Sequence, residues 1–232
     1  WRHHIEIMTK CHSVDEALFY VDKTLENGWS RAVLMNFLDT QLYAAQGKAI
    51  TNFSKYLPEP MSDLAQQTLK DPYNFDFLTM RENYNERELE DALTKNITRF
   101  LLELGSGFAF VGRQVRLEIN GNEFFIDLLF YHLKLRCYVV IELKVTEFKP
   151  EYLGQLGFYV TAINKQMKRK EDSPTIGLII CKTKDRIIAE YALEGTNQPL
   201  GISQYDLVKI MPDELKNTLP SIEEIENKLN EE

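Results

Sequence analysis

The chain has 232 residues, 44% hydrophobic and 27% charged, enough apolar matter for one good core or one core plus a smaller domain. Its net charge of −8 excludes a simple nucleic-acid binder with a uniformly basic surface. No apolar run reaches the roughly 18–20 residues that cross a bilayer, so no membrane partner is expected.

From the amino end, residues 1–80 read as a small helical domain. The sequence opens on Trp1 rather than Met and carries no signal-peptide pattern, so it reads as a fragment or trimmed chain. Ser13 followed by Glu16 has the form of a capping box, and Gly28 stands where a helix stops. Ser30 caps a second helix, in which Val33, Leu34, Phe37, Leu38 and Leu42 make one apolar stripe. Two short helices about a glycine turn are compatible with DNA-binding helix-turn-helix geometry, although most such pairs are plain packing. Tyr56–Pro72 holds three prolines and reads as a connector with a short helix inside it.

A second unit, residues 81–232, follows. Leu89, Leu93, Ile97, Phe100, Leu101 and Leu104 recur at helical spacing, which predicts one helix from about Glu86 to Gly105. Strands are expected at Phe108–Arg113 and Val115–Ile119, the latter running into the Asn120–Gly121 hairpin turn, then at Glu123–His132 and Arg136–Lys144. Pro150 opens a helix to about Met167, followed by a strand at Thr175–Lys182, a helix at Arg186–Leu193 and a strand at Ile202–Val208. This order gives an α/β (α+β) fold with a mixed sheet flanked by helices. Lys165–Lys170 is a basic run that could contact phosphate, though such runs are more often solvated helix ends. From Asp213 to Glu232 seven acids face two lysines, the pattern of a solvated acidic tail. Cys11, Cys137 and Cys181 are odd in number, and the last two lie in apolar runs, as expected of reduced thiols in a cytoplasmic protein. His3, His4, His12 and His132 show no zinc spacing with them.

Chemistry concentrates on two of these strands. Strand side chains alternate, which puts Phe125, Asp127 and Leu129 on one face and Phe124, Ile126, Leu128 and Phe130 on the other. Glu142 and Lys144 share a face at the end of an otherwise apolar strand, where charge is costly to desolvate without a partner. A tight return about Lys134 and Leu135 leaves Asp127 and Glu142 equidistant from the turn, hence cross-strand neighbours. Two like charges so placed call for a hard divalent ion, Mg2+ or Mn2+, with the Leu143 carbonyl as a further ligand and Lys144 beside it for phosphoryl chemistry. From spacing alone, an exposed Asp–Glu–Lys face fits about as well. Gln155 and Tyr159, four apart, share a helical face that could look onto this cluster.

The stretches FLLELGSGFAFVGRQ (100–114), FIDLLFYH (125–132), IELK (141–144) and FKPEYLGQLGFY (148–159) resemble the YhcG-like PD-(D/E)XK nucleases. WRHH, NGWSR and QGKAITNFSKYLP resemble the helical, winged-helix-like domain that precedes that nuclease domain. The resemblance implies a restriction-endonuclease-like fold with Asp127, Glu142 and Lys144 at its catalytic core, and Gln155 and Tyr159 as the helical motif of RecB-like members. It assigns the acid of the first core helix to Glu90, with Glu86 and Glu88 as alternatives. Ile126, where the superfamily pattern has Pro, is a departure. The function so implied is Mg2+-dependent hydrolysis of DNA, duplex or branched, by an endonuclease, with RNA also open and a homodimer by analogy. The alternative is a DNA-binding or assembly module that keeps the nuclease fold without turnover.

Overall fold

The computed structural model describes residues 2–208, 210 and 211. The acidic tail expected from Asp213 onward lies outside the described residues. Four helices open the chain: α1 (Arg2–Lys10), α2 (Val14–Asn27), α3 (Arg31–Asp39) and α4 (Leu42–Ala45). Ser13 and Ser30 cap α2 and α3 as their positions predict, and Gly28 ends α2 in the left-handed conformation at φ 62°. The reciprocal half of the capping box differs: the Glu16 carboxylate accepts from the His12 amide. Ile7, Tyr20, Leu34, Phe37, Leu38 and Leu42 form a core of their own.

The next stretch includes Tyr56–Pro72, which reads as a connector with a short helix inside it; the helix is there, at Met61–Thr68, but the stretch is built into the larger core. It contains β1 (Ile50–Thr51), α5 (Phe53–Tyr56), α6 (Met61–Thr68), β2 (Tyr73–Asn74) and β3 (Met80–Arg81). Phe53, Leu57, Leu69, Tyr73, Phe75 and Leu78 are buried against the sheet. The reason is aromatic: a flexible connector has no use for side chains this large, and Phe75 sits among the rings of Tyr73, Phe77, Phe100 and Tyr205.

The helix predicted over Glu86–Gly105 is two helices, α7 (Glu86–Lys95) and α8 (Ile97–Leu104). Asn96 breaks it by leaving helical geometry (φ −105°, ψ 33°), while its amide bonds the Ala92 and Leu93 carbonyls. The two strands expected at Phe108–Arg113 and Val115–Ile119 are one long strand, β4 (Phe108–Ile119), with a register shift between Phe110 and Gly112. β5 (Asn122–His132) and β6 (Cys137–Glu147) complete an antiparallel trio. At the β4–β5 turn Asn120 and Gly121 both have positive φ, 51° and 77°, as a type I′ turn requires. Then come α9 (Tyr152–Gln166), β7 (Ile176–Thr183), α10 (Arg186–Glu194), β8 (Leu200–Asp206) and β9 (Ile210–Met211).

The mixed sheet has seven strands in the order β1-β8-β7-β6-β5-β4, with β2 also pairing β8. β6, β7 and β8 run parallel, which makes α9 and α10 crossover helices on one face. Leu153, Leu156, Val160 and Ile163 of α9 and Ala189 and Leu193 of α10 pack on that face. α7, α8 and the stretch from Ala49 to Tyr84 pack on the other, over Leu128, Phe130, Val139, Ile141 and Leu178. The expected mixed sheet flanked by helices is what is found, and β6 at its centre is buried on both sides from Val139 to Leu143.

Candidate active site

The site forms where β5 and β6 part. Their rungs run from His132–Cys137 to Leu128–Ile141, the register set by a turn at residues 133–136 and the one anticipated from symmetry about Lys134 and Leu135. Asp127 and Glu142 come next in that register, but the backbone ladder has ended. The Asp127 carboxylate takes over: its Oδ2 accepts the amide of Leu143 at 3.0 Å. On an extended strand a residue's N–H and C=O leave the same side, so the Leu143 carbonyl opens toward Asp127 as well.

The simple alternation predicted for β5 fails at this point. Leu128 and Phe130 belong to one core, but Ile126 and Phe124 pack with Leu129 in the other. The facing therefore slips by one residue at Asp127. Opposite it on β4, Gln114 has φ 45°, and the 114–127 rung is absent from a register otherwise continuous from Gly112 to Ile119. A left-handed residue at an unpaired rung re-aims its side chain without shifting the register. Here it turns the Gln114 carboxamide toward two acids, with Nε2 2.5 Å from Glu90 Oε2 and 3.3 Å from Asp127 Oδ1.

Glu142 is the most exacting residue of the group. It is 1% exposed, and neither carboxylate oxygen has a hydrogen-bond partner. Its nearest positive charge is Lys144 Nζ, 3.6 Å from Oε2, an ion-pair distance too long for a hydrogen bond. Burial, and then the neighbouring Asp127 charge, push its carboxyl up to about 8. Burial raises Asp127 and Glu90 also, opposed at Asp127 chiefly by the Leu143 amide and at Glu90 by Gln114. Lys144 lies over the Tyr152 ring, 5.4 Å from its centroid, and Tyr152 Oη pairs with Thr146 Oγ1 at 3.0 Å.

α9 brings Gln155 and Tyr159 together. Gln155 Nε2 donates to Tyr159 Oη at 3.1 Å. The Tyr159 hydroxyl is raised first by burial and then, after the opposing Gln155 bond, by the charges of Glu142 and Asp127. Of the acids on α7, Glu90 is buried and joined to Asp127 through Gln114, and Glu86 is near enough for its charge to raise Asp127. Glu88 is occupied elsewhere, in the capping box with Asn85. The basic run Lys165–Lys170 is not at the site. Its loop is tied to the opposite end of β5 and β6, where Asp172 accepts from Tyr131 and the Ser173 amide donates to the Arg136 carbonyl. That is about 15 Å of strand away from Glu142. Gln114 had no distinguishing signal in the sequence, because a glutamine near the middle of a strand is ordinary until its φ is known.

The donors are oxygens on rigid elements, a hard set that suits magnesium or manganese. Among the described residues no three His, Cys, Asp or Glu side chains converge into a full cage. One or two carboxylates with the rest of the shell left to water and phosphate is the arrangement magnesium favours. The two unbonded oxygens of Glu142 are the places such an ion would satisfy.

Comparison with known proteins gives two family matches. Residues 66–220 match the YhcG PDDEXK nuclease domain, and residues 1–45 the DUF1016 N-terminal domain. "Putative nuclease YhcG" of Escherichia coli (strain K12) is 36% identical over 220 residues, 91% of this chain and 58% of that protein. The chain thus spans less than two thirds of that relative's length. Among solved structures, a repair endonuclease from Pyrococcus abyssi aligns with a TM-score of 0.35 at 18% identity, over 56% of this chain and 50% of that one. An EndoMS–dsDNA2 complex aligns with a TM-score of 0.35 at 15% identity, over 55% and 45%.

Proposed function

Because the chain belongs to the YhcG PDDEXK nuclease family, we propose that it is a cytoplasmic, magnesium-dependent deoxyribonuclease in which Asp127 and Glu142 hold the ion and Lys144 acts on the phosphate. The observation that carries this reading is Glu142: a carboxylate with both oxygens unbonded, buried beside a second carboxylate and one ammonium. An isolated structural acid would be costly there. A divalent ion supplies charge neutralisation at the phosphate and at the attacking water. Glu142 and Asp127 would hold it, with the Leu143 carbonyl as a further ligand. The Lys144 ammonium, held over Tyr152, donates to a non-bridging phosphate oxygen and stabilises charge that builds as water adds and the P–O bond breaks. Gln155 fixes the Tyr159 hydroxyl at the edge of the same cluster, where it can donate to the phosphate strand.

The test is cleavage of linear, flapped and four-way DNA in magnesium, with manganese as the substitute ion. Asp127→Asn and Lys144→Ala should each lower the rate at least a hundredfold with the circular-dichroism melt unchanged. Intact DNA in every metal, alongside measurable binding, would assign the fold to a non-cutting DNA-binding module. Cleavage of RNA at the same site would move the substrate class and leave the chemistry in place.

A further inference from the structure

We infer that Gln114 is a positioning residue of the metal site, tying Glu90 on α7 to Asp127 on β5 so that both carboxylates are set before an ion arrives. The inference rests on the metal reading of Asp127 and Glu142 and extends it to a residue outside that set. Three observations converge on it. The Gln114 amide nitrogen contacts Glu90 Oε2 at 2.5 Å and Asp127 Oδ1 at 3.3 Å. Ionised carboxylates only accept, so a carboxamide facing two of them must present its nitrogen, and its two N–H groups suffice for one bond to each. The backbone meets a cost to bring it there: Gln114 sits at φ 45°, where L side chains other than Asn and Asp are uncommon, and β4 loses a rung to β5. Finally, Glu90 is 2% exposed on a helix of the opposite layer, and its Oε1 has no hydrogen bond. Among the described residues, the cation paired with Glu90 is Arg113, whose Nε is 3.8 Å from Glu90 Oε1 and whose Nη1 pairs with Asp91.

The left-handed backbone makes the inference separable from a plain packing role. Gln114→Gly removes the carboxamide at a position where φ favours glycine. Gln114→Asn keeps a carboxamide and a residue that tolerates this φ, but is one methylene too short to span both acids. Manganese binding to the metal-free protein is followed by loss of the free-ion electron paramagnetic resonance signal, and folding by the thermal melt. The expected result is manganese affinity lower by about 10- to 100-fold in both variants, as when outer partners of metal ligands are removed, with melts in chelator close to that of the parent chain. Parent-like affinity in both variants would overturn the role assigned to Gln114 while leaving the metal site intact. No manganese binding by the parent chain would sink the metal reading and this inference together.

Discussion

His132 and Glu142 are both buried with an unbonded polar atom, and they meet that cost in different ways. His132 can shed its charge. Its Nδ1 accepts the Leu135 amide at 3.1 Å, its ring stands edge-on to Phe108, and burial pushes its imidazole down to about 4. A histidine whose folded value lies below the unfolded one contributes stability that is fully present above about 6.5 and is lost as pH falls toward 4. The size of that loss is on the order of 3 kcal/mol if the unfolded value is the ordinary one. Denaturation in chelator between pH 7 and pH 4 should therefore show a slope that flattens in His132→Asn, whose side-chain oxygen can still accept from Leu135. An unchanged slope would place the acid lability elsewhere. Glu142, pushed up to about 8 by burial and the Asp127 charge, meets its cost at neutral pH by holding a proton or a cation, and that is why it marks the site. At this scale the sequence was informative where charge met an apolar run: IELK singled out Glu142 and Lys144, and symmetry about the turn put Asp127 beside them, as the register has it. It was silent on Gln114, Tyr152 and Thr146, whose importance comes from a φ value or a neighbour far along the chain.

Elements were legible where period and punctuation agreed. Ser13, Gly28, Ser30, Gly105 and Asn120–Gly121 mark boundaries close to where the structure has them. The misses are interruptions that leave the hydrophobic pattern intact. Asn96 breaks α7 from α8 without disturbing the stripe, and β4 runs on through Gln114, where a break between two strands was expected. A break that preserves facing cannot be read from periodicity. Packing of α9 on the sheet depends on such a detail. A Cβ added at Gly177 on β7 would meet Leu200 Cδ2 at 2.6 Å, Leu156 Cγ at 2.8 Å and Val160 Cγ2 at 2.9 Å. Leu156 and Val160 flank Tyr159 on the helix, so the clash would push out the segment that presents Gln155 and Tyr159. Gly177→Ala should cost about 1–3 kcal/mol in urea denaturation and lower cleavage more than Gly121→Ala, which is strained at φ 77° but has open space where a Cβ would stand. Equal activity losses would show that α9 reaches the site independently of its seat on β7.

For the molecule as a whole, the question is where the helical front end stops and the sheet's own fold begins. The sequence puts the junction at residue 80, because a new helical pattern begins near Glu86. Packing argues for a junction near residue 45. Ile7, Tyr20, Leu34 and Phe37 close among themselves, whereas β1 pairs with β8 and Phe53, Tyr73 and Phe75 lie under the sheet. Asn52 strengthens the second attachment: its side chain bonds the Leu200 amide and the Gln198 carbonyl. Between the front end and the rest there is an ion pair, Glu26 with Lys134 at 2.7 Å, and Lys70 over the Phe37 ring, around an open cleft of about 690 Å³. Exposed ion pairs of this kind contribute little, about 1 kcal/mol or less. A chain starting at residue 46 should thus fold cooperatively and keep its manganese affinity, whereas one starting at residue 81 loses buried Phe53, Leu57, Leu69, Tyr73, Phe75 and Leu78 and should aggregate or melt far earlier. Circular dichroism and size exclusion on the two truncations decide it. A soluble, cooperative chain from residue 81 would mean that the aromatic cluster beneath the sheet is dispensable, and would move the junction back to residue 80.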